Sequence, residues 1–181
     1  MGNKENEVAS FAGKVHRILV KKHGLNSACY LLTFFIYKYC KEVIGIETKI
    51  VIGWVNDGTW NGVSSHAWIE YNGKKIDVSL SVTADETISP SGDAVVLDEI
   101  IESGSVSYSY FYDVPESAKN TYAQLKKSAN QQILNFINSK EKEHKMMKEI
   151  SRSDTLIDQF FDNAPSSRRY NALKSLVETE C

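Results

Sequence analysis

A charge excess of either sign is missing from this chain: its 181 residues hold 21 Lys and Arg against 23 Asp and Glu, a formal net charge of −2. It therefore has no electrostatic footprint for nucleic acid or for an anionic membrane. Long apolar runs are missing too. The longest, Ala28 to Tyr37, stops at Lys38 and falls far short of the roughly 20 residues a membrane span needs. The opening MGNKENEVAS has no apolar stretch of the signal-peptide kind, and Asn6 stands where an acylation pattern wants Ser or Thr. These absences lead us to expect a cytoplasmic protein with neither nucleic acid nor membrane as partner. Cysteine is scarce: Cys29, Cys40 and Cys181 are an odd number without a CxxC pair, which argues against a disulfide framework and a zinc ribbon. No repeat or low-complexity tract occurs. With 42% apolar and 24% charged residues the chain can bury an ordinary core without staples, so we expect no metal and no cofactor.

What is present reads as helix, helix, then strands. Phe11, Val15, Ile18 and Leu19 share one helical face over residues 8–22, with Gly24 as the stop. Asn26 or Ser27 can cap a second helix running to about Val43, ended by Gly45. That helix is apolar on nearly every side and so belongs in the middle of the fold. If Cys29 and Cys40 share it, eleven residues at ~1.5 Å each hold them ~16 Å apart, beyond disulfide reach. Strands follow over 47–55, 64–71 and 74–80, with a loop at 56–62 and the hairpin signal Asn72-Gly73. The class is α+β.

Further on, residues 94–101 read as a short helix or strand and 105–114 as a strand. Pro115 opens one long helix to about Lys145, with Tyr122, Leu125, Ala129, Ile133, Phe136 and Ile137 as its apolar stripe. Two helices near 153–162 and 165–178 close the chain. Residues 1–114 are thus expected to form a core and 115–181 a helical extension packed on it as one globular unit.

The hairpin fixes a register. A two-residue turn at Asn72-Gly73 makes paired positions sum to 145, so Ile69 faces Ile76, Trp68 faces Asp77 and His66 faces Ser79. One face then reads Ala67, Ile69, Ile76, Val78 and Leu80, all apolar, and a slip of one residue would scramble it. The other face carries His66, Trp68, Asp77 and Ser79, placing an imidazole and a carboxylate as diagonal neighbours. An aspartate on one ring nitrogen orients a histidine and leaves the other nitrogen free to take a proton. Cys29, in the first turn of the buried helix, has unpaired N–H groups and the positive dipole end beside it, which favour a thiolate and can hold an oxyanion. A cysteine in an apolar helix is by itself an ordinary core residue, and a strand histidine or a hairpin aspartate is equally ordinary alone. Their joint placement makes them candidates for a Cys-His-Asp triad.

The stretch from about Gly24 to Ser81 also resembles the transglutaminase-like core, in the compact form found in lasso-peptide leader peptidases and related bacterial proteins. The resemblance rests on Cys29 opening a helix, Ile50-Val51-Ile52-Gly53, His66-Ala67-Trp68-Ile69-Glu70, Gly73 and Asp77. It implies a papain-like fold and thiol acyl-transfer chemistry, with Cys29 as nucleophile, His66 as base and Asp77 as the orienting residue. The substrate it implies is a peptide or protein. The reaction would be hydrolysis of a peptide or amide bond; transglutaminase or deamidase action on protein glutamine, or non-catalytic binding on the same fold, are the alternatives. Where papain-like enzymes place a glutamine donor this sequence has His23, so His23 or Asn26 would supply the second oxyanion donor. Trp60 and Trp68 are candidates for a substrate groove. The run KEKEHKMMKE, including His144, reads as a solvated helix face.

Overall fold

The computed structural model describes residues 2–128 and 130–180; Cys181 and Ala129 of the expected stripe lie outside them. The order of elements is α1 (Asn3–Val15), α2 (Cys29–Tyr39), β1 (Lys49–Asn56), β2 (Ser64–Tyr71), β3 (Lys74–Asp77), β4 (Ala94–Val96), β5 (Glu99–Glu102), β6 (Ser109–Phe111), α3 (Glu116–Ser128), α4 (Gln131–Ile150), α5 (Asp154–Asp162) and α6 (Tyr170–Thr179). Helix α1 starts ahead of the expected position and is prolonged by a π-type stretch, His16–Lys22. Helix α2 is prolonged in the same way over Cys40–Ile44 and ends at Gly45, whose φ of 71° needs a residue without Cβ.

The strands form one antiparallel sheet in the order β5-β4-β3-β2-β1-β6, so the α+β class holds. The hairpin register is the expected one, Ile69 opposite Ile76 and Tyr71 opposite Lys74, through a turn with positive φ at both Asn72 and Gly73. The β2–β3 ladder stops at Ile69 and Ile76, so the expected pairs Trp68–Asp77 and His66–Ser79 are not formed. Asp77 Oδ1 accepts from both the N–H and the hydroxyl of Ser79, at 3.0 and 2.8 Å, and this side-chain turn bends the chain out of the strand. Residues 94–101 become two strands instead of one element, and the expected strand over 105–114 is reduced to the three residues of β6 and an isolated bridge from Val106 to Gly92. The single long helix after Pro115 is two helices, because the Asn130 side chain caps Ile133 N–H and starts α4 afresh.

One face of the sheet packs on helices. Ala67, Ile69, Ile76 and Val78 join a buried cluster with Val8, Phe11 and Leu19 of the first helix, Leu32, Phe34 and Phe35 of α2, Ile157 and Phe161 of α5, and Leu173 and Val177 of α6. Each fully buried Leu, Ile or Phe there contributes ~1.5–3 kcal/mol. Tyr170 lies against Phe35 and Phe161, at ring-centroid distances of 5.7 Å to each, so the last helix is seated on the helix that begins at Cys29. Among the described residues no helix is long and apolar enough to cross a membrane.

The other face is concave. Two strands separate β6 from β3, and a flat sheet would hold those two ~14 Å apart at ~4.8 Å per strand, farther than a tyrosine reaches. Yet Tyr110 of β6 donates to Asp77 of β3 at 2.9 Å, so the sheet curls into a half-barrel whose hollow is filled by side chains.

Candidate active site

His66 leaves β2 into that hollow, opposite Gly53 of β1. Gly53 is required there: an added Cβ would stand 2.6 Å from both the Trp68 ring and the Phe111 carbonyl oxygen. Its absence lets Trp68 lie flat over the strand. Trp68 and Tyr110 then wall the imidazole, with ring centroids 6.5 and 6.2 Å from it. Trp68 is only 3% exposed, which corrects its assignment to an open groove; its indole is a wall that fixes His66.

His66 Nε2 and Asp77 Oδ2 are 2.6 Å apart, with both residues buried. Asp77 uses its full acceptor capacity inside the protein: Oδ2 takes His66 and the Tyr110 hydroxyl, and Oδ1 takes both donors of Ser79. Burial alone would raise the Asp77 pKa, but the charge and hydrogen bond of His66, with the Ser79 donors, hold it below its ordinary value. For His66, burial opposes the charged form, while the charges of Asp77 and Cys29, with the hydrogen bond that the ring donates to Asp77, outweigh it and raise its pKa to about 10. With Nε2 occupied by Asp77, Nδ1 is the nitrogen left for Cys29.

Cys29 is the first residue of α2 and is half-buried. The chain reaches it through Ser27 at φ 49° and Ala28, and neither Asn26 nor Ser27 caps the helix, contrary to expectation. A capping residue needs extended backbone, which left-handed Ser27 does not have. The first helical N–H groups are thereby left without a side-chain partner, beside the thiol, and can hold an oxyanion. Cys40 is fully buried, with its thiol pushed up to about 12 by desolvation.

Of the further candidates, His23 is drawn to the other end of the chain: its Nε2 lies 3.1 Å from Glu180, so that nitrogen is not an oxyanion donor. Asn26 is exposed and spends its backbone N–H on Gly24. Trp60 is 41% exposed, in a loop held by Asn56 and set edge-on to Tyr122 of α3. His144 is not on a solvated face: it is 7% exposed and stacked on Trp54.

Tyr110 escapes sequence reasoning, because only the curl of the sheet brings it to Asp77. Lys75 Nζ sits 3.4 Å from the centroid of the Tyr110 ring. A cavity of about 200 Å³ opens beyond them, lined by Lys75, Asp93 and Tyr108 among others; Cys29 is not in its walls. Among the described residues no three His, Cys, Asp or Glu side chains are grouped to hold a metal ion. No family model, no curated protein and no solved structure matches the chain.

Proposed function

We propose that this chain is a thiol-dependent acyl-transfer enzyme of the transglutaminase-like, papain-related kind, hydrolysing peptide or amide bonds. The observation that carries the reading is the buried 2.6 Å contact between His66 Nε2 and Asp77 Oδ2, with Cys29 beside the imidazole at the start of α2. Cys29 attacks the substrate carbonyl as a thiolate, forming the C–S bond and an oxyanion held by the N–H groups of the first turn. The C–N bond then breaks, and the departing amine takes the proton held on His66. His66 next removes a proton from water, whose oxygen attacks the thioester carbonyl; the C–S bond breaks with its electron pair returning to sulfur, the acid leaves and the thiolate–imidazolium pair is restored. Asp77 keeps the ring oriented throughout and stabilises its cationic form whenever it carries the proton.

The test is labelling by a peptidyl acyloxymethyl ketone, which alkylates an activated thiol. Wild-type protein is expected to react at Cys29, Cys29→Ala not at all, and His66→Ala at least about a hundredfold more slowly. Labelling of Cys29 at an unchanged rate in His66→Ala would remove the base and, with it, the enzyme reading.

A further inference from the structure

The helix-facing side of β1 and β2 carries a second polar chain, and it reaches both residues next to the proposed chemistry. Ser65 precedes His66, and Tyr30 follows Cys29. Ser65 stands directly opposite Trp54 on the β1–β2 ladder, with side chains on the face away from His66. Ser65 Oγ lies 2.6 Å from the Tyr30 hydroxyl and 2.5 Å from His144 Nδ1. The His144 ring stacks on Trp54, with centroids 4.2 Å apart and planes 22° from parallel. A residue of α4 thus sits on a cross-strand pair and closes a chain that runs from the neighbour of the nucleophile to the neighbour of the base.

The polarity of the chain is self-consistent. Tyr30 can donate to Ser65 and Ser65 to a neutral His144 Nδ1. Desolvation first, and the Lys148 charge second, favour the neutral ring that this needs. Such a chain holds at fixed separation two elements, α2 and β2, that otherwise meet near the site through the Cys29–His66 pair itself and through apolar packing, which tolerates sliding. A displacement on the order of 1 Å between nucleophile and base can cost ~100-fold in rate.

We infer that His144 is a positioning residue: through Ser65 and Tyr30 it clamps the start of α2 to the start of β2 and so sets the approach of Cys29 to His66. The inference rests on the catalytic reading above and gives α4 a part in the site.

The measurement is the rate at which iodoacetamide alkylates Cys29, followed by mass-spectrometric site occupancy, beside a thermal melt. His144→Phe keeps a ring on Trp54 and removes the nitrogen; His144→Asn restores an acceptor near the Nδ1 position. Ser65→Ala breaks the chain at its middle and carries the test should His144→Phe fail to fold. Expected are a slowing of roughly 10- to 100-fold in His144→Phe and in Ser65→Ala, no further loss in the double variant, and substantial recovery in His144→Asn. A folded His144→Phe or Ser65→Ala that alkylates at the wild-type rate overturns the inference, as does an equal loss in His144→Phe and His144→Asn, which marks generic packing. If His66→Ala alkylates as fast as wild type, the catalytic reading itself has failed and the positioning role falls with it; a slow His66→Ala beside a normal His144→Phe removes the positioning role alone.

Discussion

Asp77 accepts four hydrogen bonds and is 3% exposed, so each donor removed leaves part of a buried carboxylate bare. Tyr110→Phe takes away one donor and almost no volume. A hydrogen bond to a charged group is worth ~1.5–3 kcal/mol, and at ~2–4 °C per kcal/mol for a chain of this size the variant should melt ~3–12 °C lower. An unchanged melting temperature would mean that the Tyr110 bond is not formed. Asp77→Asn keeps the shape but lets the His66 ring settle in the wrong tautomer, and under the proposed function turnover is expected to drop by two to four orders of magnitude. Cys40 is the internal contrast. Its desolvated thiol should resist iodoacetamide at neutral pH under conditions where Cys29 is consumed, since only a thiolate reacts; comparable labelling of the two would refute the difference in environment.

At the scale of elements, the close approach of β1 and Trp68 is the feature most sensitive to one atom. Gly53→Ala would drive a methyl group to 2.6 Å from the indole and from a backbone oxygen of β6. Something must shift, at a cost of ~1–3 kcal/mol, and Trp68 is the wall against which His66 rests. Urea denaturation should register that loss, and tryptophan fluorescence in the native state should shift with the displaced ring; neither changing would show that the contact relaxes freely. The hairpin was readable in advance because Asn72-Gly73 dictates a turn and a period of two dictates faces. The failure of β3 to reach Ser79 was not, since it arises from a side-chain turn at the residue that also serves His66.

For the whole molecule, α5 and α6 complete the core under α2, so a change far from the site should act on global stability. Leu173→Ala, at a position 1% exposed, should cost ~2–5 kcal/mol, with helix ellipticity and tryptophan fluorescence lost in one transition. Separate transitions would show that the C-terminal helices melt on their own. The buried ion pair also predicts a pH dependence. Asp77 lies below its ordinary 3.8, so its contribution is present above that value and fades as pH falls further. His66 is raised from 6.5 to about 10, so its contribution is complete below 6.5 and is lost as pH climbs toward about 10. The melting-temperature advantage of wild type over Asp77→Asn should therefore be largest between about pH 4 and 6.5 and shrink from there to about pH 10. A difference flat across that upper interval would argue that His66 is not held protonated by Asp77.

By itself the sequence determined the local order: which stretches are apolar on one side, where Gly45 and Asn72-Gly73 turn the chain, and, through the pairing sum of the hairpin, that His66 and Asp77 share a face. Those properties depend on neighbours within a few positions, where periodicity and turn chemistry act directly. Tertiary structure alone decided that the shared face is the hollow of a curled sheet, because curvature is a sum over six strands. The same curl took Tyr110 across two strands to Asp77. Packing of the C-terminal helices took His23 to Glu180 and put His144 beneath the surface, against Trp54 and Ser65. No spacing between residues 65 and 144 encodes that last contact, since it forms only when α4 and β1 are already docked.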